Sequence, residues 1–280
     1  MKKLIFYNHF HCGDLHVSRS FINDIKSRKK IDMMYYHQND FEILKDIKIE
    51  QCNKLNNDFI KDKNLYEIDN ILYFNTWYYS VQESYKKYGC SLKTLYINFS
   101  YLYEKIGLEL LDMSNYIPEI NFSEYNISNV DLFFKNNKFS KYVFVSNGNV
   151  LSGQSKNFDF DPIIDILSDK YKNILFLMSN KSNIKKSNVI QTRDIINKSG
   201  NDLNENSYIS TFCDLIIGRS SGSFTFSIIK ENIFNNKLKY IDISNIDPKF
   251  GLDNCISNDK FIEIKDYDMN IILNKIQNIL

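Results

Sequence analysis

Three prolines, one tryptophan and nine glycines are spread over 280 residues. So few prolines leave most predicted helices and strands unbroken. No apolar run approaches the ~20 residues of a membrane span. The opening Met-Lys-Lys is followed by apolar residues only over 4–7, short of the roughly 7–15 of a secretory signal. Neither charge sign dominates: Lys+Arg 35 against Asp+Glu 34 gives net charge +1. Nothing in that balance would attract nucleic acid. The five cysteines, Cys12, Cys52, Cys90, Cys213 and Cys255, are odd in number and lack a C-x-x-C pair. They fit a reducing cytoplasm better than a disulfide framework. G-K-[ST] and G-x-G-x-x-G are both missing, which argues against P-loop NTPases and against dinucleotide enzymes.

What is present is a repeated strand–loop–helix grammar, with 43% hydrophobic residues to build a sizeable core. The first run opens with a strand at 4–7, a polar loop over 8–16 containing Gly13, and a helix over 17–30 with apolar spacing at Val17, Phe21, Ile22 and Ile25. A strand over 31–37 completes the opening unit of a parallel sheet. Residues 38–68 are poorly patterned, with Ile47 and Ile49 suggesting a short strand. A strand over 71–79 ends in polar and aromatic residues, and a long helix is expected over 91–113. Residues 114–140 read as connection.

The grammar then restarts. Strands are expected at 142–145, 173–178, 189–192, 214–218, 238–243 and 261–264, and helices over 163–171, 203–213, 224–234 and 269–280. Asp161-Pro162 suits a helix start, with Asp161 as N-cap. The expected fold class is α/β, with two Rossmann-like domains, 1–135 and 141–280, facing across a cleft.

In the second run the strand ending at Gly218 enters Arg219-Ser220-Ser221-Gly222-Ser223 and then a helix. Small residues admit a phosphate close to the backbone, and a helix start offers unpaired N–H groups. Hydroxyls and Arg219 add further donors. The loop after Val145, with Asn147, Gly148 and Asn149, opens at the same end of the sheet. Arg193 or Arg219 would neutralise charge.

The first loop holds His9, His11, His16, Gly13 and Asp14, with Arg19 just inside the helix. Asp14 would serve as general base at a cleft, or cap the helix, or both. His9, His11 and His16 fit two readings: metal ligands of a hydrolase, or lining of a binding cleft. Trp77 either stacks on a ligand ring at a strand end or belongs to the core. A non-catalytic nucleotide- or glycan-binding module is a further reading of the same stretches.

Two of these stretches carry a resemblance. The strand leading to Gly13-Asp14-Leu15-His16 and a helix resembles the opening of the heptosyltransferase-like (family 9) glycosyltransferases of the GT-B fold. Residues 207–222, ending Gly218-Arg219-Ser220-Ser221-Gly222, resemble that superfamily's donor-binding strand–turn–helix. The resemblance implies a nucleotide-sugar donor in the C-terminal half and a glycan or lipid-linked acceptor in the N-terminal half. It implies no required metal or other cofactor, and Asp14 as the base. The implied setting is cytoplasmic, with peripheral association at the inner face of a membrane. One departure stands out. The family usually carries Asp-Thr/Ser-Gly followed by His in the donor turn, whereas here Arg219-Ser220 precedes Ser221-Gly222 and no histidine follows.

Overall fold

The computed structural model describes residues 3–55, 59–60, 63–77, 92–151, 155–219, 222–244 and 259–280. Ser220, Ser221, Cys90 and Cys255 lie outside the described residues, as do 78–91 and 152–154. By their internal contacts the described residues form two units, one ending at Ile120 and the other beginning at Asn121.

The first unit contains β1 (Lys3–Asn8), α1 (Cys12–Arg28), β2 (Asp32–His37), β3 (Glu50–Cys52), β4 (Leu65–Ile68), β5 (Ile71–Asn75) and α2 (Leu92–Ile106). A 3-10 segment, Phe41–Ile47, links β2 to β3. The sheet order is β3-β2-β1-β5-β4, parallel except for the β4–β5 pair. Side chains alternate along β1 as a pleated strand requires. Phe6 meets Tyr35, Phe74 and Phe99 on one face. Ile5 and Tyr7 meet Phe59 on the other, with Tyr66 and Tyr73 packed alongside. The helical layer is tied to the first face by Phe21 of α1, which stacks on Phe99 and Tyr116 with centroids 4.3 Å away in each case.

Two boundaries differ from the sequence expectation for local reasons. α1 begins at Cys12 rather than 17, so Gly13 and Asp14 lie in its first turn. α2 stops at Ile106 rather than 113 because Gly107 turns left-handed, φ 68°, and Leu108 N returns to Tyr103 O at 2.9 Å. That is a glycine C-terminal cap.

The second unit contains α3 (Ser128–Asn136), β6 (Lys141–Ser146), α4 (Asp161–Lys170), β7 (Ile174–Met178), β8 (Val189–Gln191), α5 (Thr192–Ile196) and α6 (Leu203–Ser210). It continues with β9 (Leu215–Gly218), α7 (Gly222–Phe226), α8 (Lys230–Ile233), β10 (Lys239–Ile243), β11 (Phe261–Ile264) and α9 (Met269–Gln277). Its sheet is parallel throughout, in the order β11-β10-β9-β6-β7-β8. β7 reads Ile-Leu-Phe-Leu-Met and is buried along its whole length, as a central parallel strand covered on both faces must be.

Three expectations change here. α3 lies in the stretch read as connection, and it is held by Val130 and by Phe134, which stacks on Phe212 at 4.2 Å. Asp161 is inside α4 rather than capping it, and its carboxylate accepts Asn183 N at 2.8 Å. The helix expected over 224–234 is two short pieces, α7 and α8. Side chains draw the Ser227 carbonyl out of the helical ladder: it accepts Asn232 Nδ2 at 2.8 Å and the Tyr240 hydroxyl at 2.7 Å.

Candidate functional site

Each sheet reverses its strand order beside its first strand. In the first unit β1 lies between β2 and β5, and in the second β6 lies between β7 and β9. In open α/β sheets the crevice at such a switch point, beyond the carboxyl ends of the strands, is where ligands bind. The loops that follow β1 and β5, and those that follow β6 and β9, are the stretches singled out by sequence.

In the first unit an asparagine ends each of the two switch-point strands. Asn8 Oδ1 accepts Phe10 N at 2.7 Å and Asn75 Oδ1 accepts Trp77 N at 3.0 Å. Both are turns in which the side chain mimics backbone. The two ends are then joined, Asn8 Nδ2 donating to Thr76 Oγ1 at 3.0 Å. Beneath them the Tyr35 hydroxyl bridges Thr76 Oγ1 at 2.7 Å and Ser18 Oγ at 3.2 Å. Asn39 Nδ2 holds the Phe10 carbonyl at 2.9 Å from the side of β2. Phe10 meets Trp77 edge to face at 5.9 Å.

This fixed loop delivers His11 to the N-cap and Asp14 to the first turn of α1. Asp14 is half-buried. Loss of water around its carboxyl pushes its pKa up to about 7, although the His11 and Asp14 backbone N–H groups pull the other way. The carboxylate therefore caps the helix from a place where burial raises its pKa.

Of the other expected residues of this unit, Gly13 stays beside Asp14 and Trp77 meets the loop through Phe10, while His16 and Arg19 turn inward. His16 is fully buried on the underside of α1, and Arg19 is fully buried and paired with Asp46 at 3.0 Å. Trp77 is 7% exposed and so belongs mainly to the core. His9 packs edge to face on Tyr7 at 5.6 Å. With His16 inside the helix packing and His11 exposed at the N-cap, the three histidines do not converge. Among the described residues no group of three or more His, Cys, Asp or Glu side chains is placed to hold a metal.

In the second unit three hydroxyls meet at the switch point. Ser146 Oγ lies 2.5 Å from Ser223 Oγ, and Ser179 Oγ lies 3.3 Å from it. Asn147 braces the group: its Oδ1 accepts Asn180 N at 2.8 Å and Ser179 Oγ at 3.3 Å. Its Nδ2 donates to Asn180 O and Lys181 O, both at 3.3 Å. Two glycines are crowded, and at the first of them glycine is required. A Cβ on Gly218 would meet Ser146 Cβ at 2.7 Å and Phe224 Cδ2 at 2.8 Å. A Cβ on Gly148 would meet Asn180 Nδ2 at 2.8 Å.

The structure thus gathers Asn147, Gly148, Arg219 and Ser223, with Asn149 exposed beside them and Gly222 opening α7. Sequence reasoning missed Ser179 and Asn180, because their place follows from β7 lying next to β6. The two arginines differ from the direct phosphate ligands expected. Arg193 forks onto Asp202 at 3.0 and 3.1 Å and donates to Gly200 O. Arg219 is buried under the loop it was expected to flank, donating to Phe158 O, Asn147 O and Gly148 O at 2.8 Å each. With α7 only five residues long, its dipole contributes little.

Two Rossmann-type units, one sheet parallel throughout and the other parallel but for its β4 edge, define a GT-B-like α/β fold. No family model matches the chain, and no curated protein matches it in sequence. Solved structures do match. A glycosyl transferase family 9 protein from Veillonella parvula DSM 2008 aligns with TM-score 0.54 at 11% identity, covering 100% of this chain and 92% of that one. The ADP-heptose heptosyltransferase II of E. coli aligns with TM-score 0.50 at 10% identity, over 100% and 98%. A second E. coli heptosyltransferase, solved with ADP-2-deoxy-2-fluoro heptose, gives 0.54 at 7% identity over 99% of both chains. At such identities the similarity is one of fold, and it is to the family 9 glycosyltransferases that the sequence resemblance pointed.

Proposed function

We propose that the chain is a glycosyltransferase that moves a sugar from a nucleotide-sugar donor to a hydroxyl of a cell-surface glycan or lipid-linked acceptor. The reaction needs no metal. Asp14 takes the proton of the acceptor hydroxyl. The oxygen attacks the anomeric carbon, and the bond from that carbon to the diphosphate oxygen breaks. The nucleoside diphosphate leaves with the electron pair. Ser223 and the loop from Asn147 to Asn149 receive it, with Ser220, Ser221 and Gly222 as further binding residues. Donors placed where charge develops lower the barrier.

The observation that carries this reading is Asp14, whose carboxyl is pushed to a pKa of about 7 in the first turn of α1, just after a braced loop at a switch point. A general base is most effective when poised near the working pH. The hydroxyl cluster at the other switch point suits a diphosphate, and the fold neighbours include one solved with ADP-2-deoxy-2-fluoro heptose. The reaction is placed in the cytoplasm, at the inner membrane face when the acceptor is lipid-linked. No helix among the described residues is long and apolar enough to cross a membrane.

A thermal-shift panel of nucleoside diphosphates and their sugars tests the donor site, with stabilisation expected from one base over the others. Asp14→Asn is expected to abolish transfer while keeping that stabilisation. Near-normal turnover in this variant would remove Asp14 as the base.

A further inference from the structure

Arg19 and Arg219 are both among the largest fully buried side chains, yet their surroundings differ. Arg19 has a counter-ion, Asp46 at 3.0 Å. Arg219 has none. Its three hydrogen bonds go to neutral carbonyls, and its guanidinium lies 5.2 Å from the ring centres of Phe158 and Phe160. Asp159 and Tyr267 act on it only at a distance. A guanidinium keeps its charge in any protein, and a buried charge without a partner is costly. Among the described residues this positive charge therefore has no ion pair, and only the more distant Asp159 and Tyr267 oppose it.

The direction of the bonds says where compensation would come from. One Arg219 nitrogen binds the carbonyls of Asn147 and Gly148 together. In a trans peptide the N–H points opposite to the C=O of the same plane, and the described peptides are all trans. Turning those two carbonyls onto Arg219 turns the N–H groups of Gly148 and Asn149 away from it. Neither N–H donates to an acceptor among the described residues. Gly148 is half-buried and Asn149 exposed, so both N–H groups lie where a ligand can approach. Two successive backbone N–H groups aimed the same way form an anion-binding concavity, and the cation behind the peptides strengthens it.

We propose that Arg219 is a positioning residue that shapes an anion site from the Gly148 and Asn149 backbone N–H groups, and that the anion is a diphosphate. Identifying it as the diphosphate of a sugar donor rests on the function proposed above. Arg219 does not touch the ligand. It fixes two peptide planes and supplies their charge from beneath.

The probe is inorganic pyrophosphate, added to full-length protein labelled with 15N-glycine. The chain has nine glycines, so the spectrum is sparse, and the signal lost in Gly148→Ala assigns Gly148. The Gly148 amide is expected to shift on saturation. Arg219→Gln and Asn149→Pro, the second removing the Asn149 N–H without changing any charge, are each expected to weaken pyrophosphate binding about tenfold or more, with melting still cooperative. A Gly148 signal that does not move in the wild-type protein would overturn the proposal. So would equal pyrophosphate affinity in Asn149→Pro, a measurement that holds even if Arg219→Gln fails to fold. Pyrophosphate binding at Gly148 without turnover of any nucleotide sugar would leave the anion site standing and sink the transferase reading. Turnover with an unmoved Gly148 would do the reverse.

Discussion

Asp14 and His11 close a reciprocal ring at the start of α1: Asp14 Oδ2 accepts His11 N, and Asp14 N donates to His11 O, both at 3.1 Å. The ring fixes the carboxyl where burial raises its pKa to about 7 from an ordinary 3.8. An acid with a raised folded-state pKa binds more protons folded than unfolded between those values. Its contribution to stability therefore falls as pH rises through that window. Asp14→Asn keeps an acceptor for His11 N and carries no charge. Above pH 7 it is expected to be more stable than the wild-type protein by ~1 kcal/mol, or about 3 °C in Tm, with the difference vanishing near pH 4. Over the same window kcat/KM of the wild-type protein should rise to a plateau above pH 7, as the base ionises. A flat melting difference from pH 4 to 8 would refute the raised pKa.

The two crowded glycines should respond differently to one added methyl. At Gly218 the new carbon meets Ser146 and Phe224 inside the packed end of β9, neither of which has room to move. Gly218→Ala is expected to cost about 1–3 kcal/mol, the usual range for overpacking. At Gly148 the obstacle is the amide end of Asn180, which can rotate away, so the cost in stability should stay below about 1 kcal/mol. Urea unfolding of the two variants checks this, and equal losses would contradict it.

Asp46→Ala strands the buried Arg19 charge. The expected loss is about 3–5 kcal/mol, because one partner of a buried pair is removed. Replacing both, as Arg19→Met with Asp46→Leu, should recover most of that. A double-mutant cycle in chemical denaturation measures the difference. A double variant as unstable as Asp46→Ala would mean that the site depends on Arg19 for more than charge pairing.

The strands that read as apolar runs, β1, β5, β6, β7 and β9, were legible because burial on both faces leaves little choice of residue. So was the place of the candidate loops, since a polar, glycine-containing break after such a run marks a strand end. Partnership was not legible. Nothing local distinguishes Arg219 on carbonyls or Arg193 on Asp202 from an arginine awaiting phosphate. Ser179 and Asn180 join Asn147 only because β7 pairs with β6. α3 was hidden because Asn-rich flanks mask a core contact made by two side chains, and the 224–234 helix was overextended because Tyr240 and Asn232 compete for one carbonyl. The repeated asparagine at the ends of β1 and β5 was the available signal for the braced loop, and it needed the pairing of those strands to be understood.

The turn between β4 and β5 sets the size of the first unit. Asp69 and Asn70 both take left-handed backbone, φ 52° and 64°, the two-residue reversal that suits a hairpin. A parallel return to the same edge would need a crossover of a dozen or more residues. By reversing direction once, the sheet gains its fifth strand without another helix, and the aromatic face formed by Tyr7, Phe59, Tyr66 and Tyr73 is closed partly by that strand. One two-residue turn thus stands where a parallel fifth strand would have required a whole crossover.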